Sequence, residues 1–192
     1  MRQMTNPASV NAHQARSRPG LKRVDGWSVQ HVKTPPNSLL EEIYFAMPVA
    51  RLGVLDADSA IDVMPIVFAA TNERLCSPID GKPKKSARLR RLDSIALHPE
   101  VALTLDHYSG DWQSLWWIKL ACEASVVTSD DSEFEAAEAA LRTKYPQYQT
   151  TPLFKGEPTL IRFKVRTVKW WASSGEAGLR RWLKQAPAYT VR

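Results

Sequence analysis

Between residues 50 and 79 the chain sets three short apolar runs around two polar turns, and this spacing restricts the fold more than any other stretch. Ala50-Arg51-Leu52-Gly53-Val54-Leu55 is the first run, and Asp56-Ala57-Asp58-Ser59 follows it as a turn. Residues 61–69 are the second run, Thr71-Asn72-Glu73 turns the chain again, and residues 74–79 are the third. A parallel pairing needs a crossover of a dozen residues or more, which neither turn supplies. The spacing therefore predicts an antiparallel meander. Pro65 lies in the middle of the second run and has no N–H to give a ladder. It predicts an edge, a bulge, or a point where the backbone faces a ligand.

The flanking sequence adds helices and further strands. Residues 38–46 read as a helix with Ser38 and Glu41 as a capping box and Leu39, Leu40, Ile43 and Tyr44 on one side; Pro48 stops it. Leu89, Leu92, Ile95 and Ala96 give residues 86–97 a helical period, closed by Pro99. Residues 101–108 and 114–127 read as strands. A second capping box, Asp130 with Glu133, starts a helix whose inner face is Phe134, Ala137, Leu141 and Tyr145. Residues 159–171 alternate apolar and charged side chains as a half-exposed strand does, and Leu179, Trp182 and Leu183 fit a short docking helix. The expected class is mainly β (α+β): a six-stranded antiparallel barrel with peripheral helices. No G-x-G-x-x-G follows a strand, and no Walker, H-E-x-x-H or G-x-S-x-G motif occurs, so a Rossmann fold and those catalytic sites are excluded.

The formal charge of +6 first suggests nucleic acid. Its distribution argues otherwise. Residues 1–37 hold six basic residues and Asp25 as the one acid, a net of +5, which leaves 20 basic against 19 acidic residues in the body. Residues 1–37 read as a disordered or loosely attached basic arm, with the composition of a tail or a transit peptide. Residues 38–174 read as one cofactor-binding domain and 175–192 as a C-terminal tail. Cys76 and Cys122 are far apart, each within an apolar run, and read as free buried thiols of a cytoplasmic protein. No apolar run approaches the ~18–20 residues that span a membrane. No histidine, cysteine or carboxylate cluster has metal-ligand spacing, and no catalytic acid, base or nucleophile is identifiable.

Chemistry concentrates at Asp80-Gly81-Lys82-Pro83-Lys84-Lys85-Ser86-Ala87-Arg88-Leu89-Arg90-Arg91. Six basic residues occupy ten positions, 82–91, with no acid among them. Gly81 and Pro83 punctuate a loop that enters a helix, where free N–H groups and ammonium donors converge on an anion. A charged helix face would interleave acids with bases, so an anion clamp is the better reading. Arg90 is expected at the surface, because Arg88, Arg90 and Arg91 cannot share one face.

Taken with Ala50 to Asp58, Met64-Pro65-Ile66-Val67-Phe68, Asp106-His107-Tyr108, Asp111-Trp112, Leu115-Trp116-Trp117 and Lys144-Tyr145-Pro146-Gln147-Tyr148, this loop resembles the pyridoxamine 5'-phosphate oxidase-like family of flavin-binding split β-barrels. Lys82-Pro83-Lys84 and the tryptophan-rich segment resemble its F420-dependent oxidoreductase branch. The resemblance spans roughly residues 39–174. It implies a six-stranded split barrel and a homodimer with the cofactor at the interface. The backbone of Met64, Pro65, Ile66 and Val67 would lie along the ring, with Ser77 and Pro78 against the ring or its polyol chain. Lys82, Lys84 and Lys85 would hold phosphate, helped by Arg88 or Arg91, and Trp112 would stand near the groove. Ser59 departs from the pattern where a turn glycine is common, and Gly81 where an acid often precedes the Lys-Pro.

The expected activity is hydride transfer between coenzyme F420 and an unsaturated small molecule. FMN chemistry on the same fold, or a non-catalytic flavin- or haem-binding protein, is the alternative. Neither a nucleic-acid nor a membrane partner is expected. His107, at a strand end near the groove, reads as a polar end residue rather than a ligand.

Overall fold

A computed structural model of the chain describes residues 34–71, 74–79, 90–154 and 156–186. Residues 1–33 of the basic arm and residues 80–89 of the clamp, with Lys82, Lys84, Lys85 and Arg88, lie outside them. The described residues form seven strands and four α-helices, in the order α1 (Asn37–Ala46), β1 (Ala50–Leu55), β2 (Ile61–Ile66), β3 (Ala69–Thr71), β4 (Arg74–Pro78), α2 (Arg90–Leu97), β5 (Glu100–His107), β6 (Trp116–Thr128), α3 (Phe134–Lys144), β7 (Thr159–Ala172) and α4 (Gly175–Gln185). The sheet order is β2-β1-β5-β6-β7-β4-β3, and each of these pairings is antiparallel. The expected α+β antiparallel class holds, with one more strand than expected.

The extra strand comes from residues 61–69. They do not form one strand but break at Val67–Phe68 into β2 and β3. The cause lies 77 residues away in sequence. The Tyr145 hydroxyl accepts a hydrogen bond from the Phe68 N–H at 3.0 Å and lies 2.8 Å from the Phe68 carbonyl and 2.9 Å from that of Pro48. A side chain on the far end of α3 thus serves polar groups that a neighbouring strand would otherwise serve. Pro65 sits on β2, an edge strand of the sheet, as its missing N–H requires.

Alternation decides what the strands bury. Leu52 and Val54 of β1, Val101, Leu103 and Leu105 of β5, and Trp116, Ile118 and Leu120 of β6 point into one core. Leu39, Leu40, Ile43 and Tyr44 of α1, Ile95 of α2 and Leu179 of α4 cover it. A second cluster joins Phe134, Ala137 and Leu141 of α3 and Tyr145, which caps it, to Ala69, Cys76, Val127 and Leu160. The apolar faces expected for α1 and α3 are the buried ones, whereas in α2 only Ile95 of the expected face is buried, Leu92 is half-buried and Ala96 is exposed, and in α4 Leu179 is buried with Trp182 and Leu183 half-buried.

Neither capping box forms. Pro36 precedes α1, and its carbonyl takes the N–H groups of Leu39 and Leu40, so Ser38 lies inside the helix. Helix α3 starts at Phe134 because Asp131, not Asp130, accepts the Glu133 N–H at 2.9 Å. Asp130 instead takes the Thr128 hydroxyl, a hydrogen bond that holds its carboxyl below the usual range.

The β1–β2 turn shows where the sequence carries strain. The Asp56 carboxylate accepts from the Asp58 and Ala60 N–H groups at 3.0 and 2.9 Å. Ser59 completes the turn at φ +59°, the left-handed region that glycine enters freely and serine does not. This is the position where the resembled family commonly has glycine. Ser59→Gly is therefore expected to raise stability by about 0.5–1 kcal/mol in urea unfolding, relief of strain exceeding the added chain entropy. A loss of stability would mean that the serine side chain contributes more than its backbone strain.

Candidate functional site

Two places gather functional groups: the split between β2 and β4, and a cavity behind α3.

The split is built by register. Ala69 pairs with Cys76, so the same ladder continued would set Phe68 against Ser77 and Val67 against Pro78. The chain leaves the ladder there instead. Ser77 and Pro78 pair with Ile161 and Leu160 of β7 on one side and run past the end of β3 on the other. Met64, Pro65 and Ile66 pair with β1 on one side, and no described strand pairs with their other side. Two of the expected ring-contact groups, 64–67 and 77–78, thus flank one break in the sheet. Ser77, Pro78 and Ile66 are buried, Met64 and Val67 are half-buried, and Pro65 is exposed.

Helix α2 packs on β6 and β1 and reaches β2 through one side chain. Its Arg91 guanidinium lies 3.9 Å from the Met64 sulfur. Of the basic stretch, Arg91 thus lies beside β2, while residues 80–89 lie outside the described residues. Arg90, opposite, is exposed, as expected. Trp112 stands apart. It lies on a 3-10 turn, Trp112–Ser114, between β5 and β6, 76% exposed. This turn is tied to the start of α4 through the Ser174 hydroxyl and the Gln113 carbonyl, 3.0 Å apart. Among the described residues no hydrogen bond or ring contact joins Trp112 to residues 64–67, Ser77 or Pro78. His107 ends β5 as expected, and its ring is stacked on Trp116 at 6.5 Å and tilted against Trp182 at 6.0 Å.

Sequence reasoning missed the second place. A cavity of about 730 Å³ is lined from α1, β3, β4, α3 and β7. Leu40, Tyr44, Leu75, Val165 and Val168 make it mainly apolar, and Asn37, Glu41, Arg74 and Thr143 bring polar groups to it. Lys144 also lines it, yet is only 4% exposed. Its ammonium donates to the Tyr44 carbonyl at 2.5 Å and sits 3.7 Å from the Phe68 ring centroid and 5.3 Å from that of Tyr145. Helix α1 has no basic residue in its last turn, so Lys144 supplies from α3 the cation that its C-terminal carbonyls favour. Burial pushes the Lys144 amine down to about 7, with a smaller opposing pull from the Cys76 thiol. A signal for this did exist. Lys144 is three residues from Leu141 and seven from Ala137, so it falls on the inner face of α3.

An ion network borders the cavity. Arg74 pairs with Glu133 at 2.6 Å, and Arg162 reaches Asp131 at 2.9 Å and Glu133 at 3.2 Å. It fastens β4 and β7 to the start of α3. Cys76 and Cys122 are free and buried, and burial pushes both thiols up to about 12. Neither is a thiolate nucleophile at neutral pH. Among the described residues no helix is long and apolar enough to cross a membrane, and no group of three or more His, Cys, Asp or Glu is placed to hold a metal ion.

No protein-family model matches the chain, and no curated protein sequence does. Solved structures do match it in fold. The haem storage protein HutZ from Vibrio cholerae superposes with a TM-score of 0.56 at 13% identity, over 69% of this chain and 91% of that one. An FAD-binding protein from Mesorhizobium loti gives 0.55 at 12%, over 72% and 94%. A haem-binding protein from Mycobacterium smegmatis gives 0.56 at 14%, over 75% of this chain but only 57% of that longer one. At such identities the likeness shows the fold alone: this chain shares the split-barrel architecture of proteins that bind haem or FAD.

Proposed function

We propose that the break between β2 and β4 holds a flavin-type cofactor, with coenzyme F420 preferred and FMN the alternative, in a dimeric oxidoreductase. The observation that carries this reading is the free side of Met64–Val67. An edge backbone with unpaired groups, one of them a proline without N–H, suits a flat heteroaromatic ring edge that needs backbone partners. The ring, when bound, supplies hydride acceptance and donation. The chain's own residues bind, orient and exclude water. Buried Ile66 and Pro78 give the ring apolar contact, and Ser77 gives it a hydroxyl neighbour. Arg91 and the lysines of the basic loop, Lys82, Lys84 and Lys85 with Arg88, hold the phosphate. Trp112, exposed on its turn, reaches a site at the interface from the partner of a homodimer.

Each lysine–phosphate contact is a charge-assisted hydrogen bond worth roughly 1.5–3 kcal/mol. Replacing Lys82 and Lys84 together by alanine is expected to weaken cofactor binding more than tenfold, over ~1.4 kcal/mol. Fluorescence titration of the double variant beside the unchanged chain reads this out. Equal affinity would return the lysines to a solvated face. Haem binding without catalysis is the second reading, favoured by the two haem-binding proteins of the same fold. It predicts a Soret band on adding haemin, insensitive to the two lysines.

A further inference from the structure

The cavity behind α3 is separate from the proposed cofactor break, and its most unusual group is the Lys144 amine. A lysine inside a protein normally neutralises a carboxylate, but this one meets a carbonyl and two aromatic faces. It lies on the wall of a cavity large enough for a small organic molecule and mainly apolar. We propose that this cavity takes small apolar aldehydes or ketones and that Lys144 holds them as a reversible imine.

The geometry supplies what that reaction needs. Nζ attacks the carbonyl carbon, forming a C–N bond. The carbonyl oxygen then leaves as water with the two amine hydrogens, giving C=N, and no oxidant or reductant is consumed. The attacking form is the neutral amine, and burial makes it abundant at neutral pH, whereas an ordinary lysine near 10.5 is almost wholly protonated. The Tyr44 carbonyl at 2.5 Å holds one N–H and so orients the nitrogen. Glu41 and Thr143, also on the cavity wall, are groups through which protons can pass during loss of water. The walls of Leu40, Leu75, Val165 and Val168 select an apolar body and keep water from hydrolysing the imine.

The test uses the full chain. Benzaldehyde is added near pH 7.5, any imine is fixed with cyanoborohydride, and the lysines are mapped by peptide mass spectrometry. Lys144 is expected to be labelled at least tenfold faster than any other lysine. Benzaldehyde should also outpace the charged aldehyde glyoxylate at Lys144 by a similar factor. Lys144→Met should lose the fast site and keep the slow ones. The unchanged chain is itself mapped, so the test stands even if the variant fails to fold. Labelling confined to the other lysines, or equal labelling by both aldehydes at Lys144, overturns the proposal. Neither outcome depends on flavin or haem binding.

Discussion

Stability should rise by roughly 1–2 kcal/mol between pH 7 and pH 9 and then fall, because one buried lysine and two buried thiols titrate in opposite senses. Below about 7 Lys144 is protonated in both folded and unfolded chains, and the fold bears the full cost of burying its charge. Between about 7 and 10.5 the unfolded chain keeps this proton and the folded chain does not, so each pH unit adds about 1.4 kcal/mol. Above 9.0 the thiols reverse the slope. Unfolded Cys76 and Cys122 release protons that the folded chain retains up to about 12. Tyr44, raised by burial and by nearby Cys122, steepens the fall above 10.0. Urea unfolding at unit pH intervals from 6 to 11 should therefore show a maximum near pH 9. Lys144→Met should abolish the rise while leaving the fall. A flat profile from 7 to 9 in the unchanged chain would mean that the amine is solvated or paired.

Tyr145→Phe should destabilise the fold by about 2–3 kcal/mol, near the top of the range for orphaning a buried donor. The ring volume is kept, and Tyr145 is only 2% exposed, so the effect isolates the hydroxyl. Without it the Phe68 N–H, which bonds to that hydroxyl at 3.0 Å, must find water or return to a strand ladder. The second choice would extend the β3–β4 ladder to Ser77 and so narrow the break between β2 and β4. The variant is thus also expected to weaken any ligand held at that break. A change below about 0.5 kcal/mol would show that water replaces the hydroxyl freely.

These two residues mark the limit of what the chain reveals by local pattern. β1 is legible to the residue, because its alternation and its turn are local properties. The long strand at 159–171 and the inner face of α3 are legible for the same reason. The break at Val67–Phe68 is not, since nothing in residues 61–69 announces a hydroxyl from position 145. The capping boxes fail for a related reason: a pattern of Ser or Asp with Glu three residues on is necessary for the motif, and neighbouring backbone and carboxylates decide whether it forms. Of the candidate site, Pro65 announces in the sequence that residues 64–66 pair on one side only, whereas the one-sided pairing of Ser77 and Pro78 and the approach of Arg91 to Met64 follow from register and packing that no local pattern carries. Lys144 escapes sequence reasoning because a charge on an inner helix face usually marks a boundary residue. Only the three-dimensional neighbours, Tyr44, Phe68 and Tyr145, show that it is enclosed.

The central claim is that the break between β2 and β4 binds a flavin-type ring. Titrating the purified full-length chain separately with coenzyme F420, FMN and haemin tests it most directly, with cofactor fluorescence and absorbance as the signals. Saturable binding of F420 or FMN is expected at micromolar or lower concentration, about 8 kcal/mol or more, weakened more than tenfold by the Lys82 and Lys84 double change. Binding of haemin alone, or of none of the three, would contradict it.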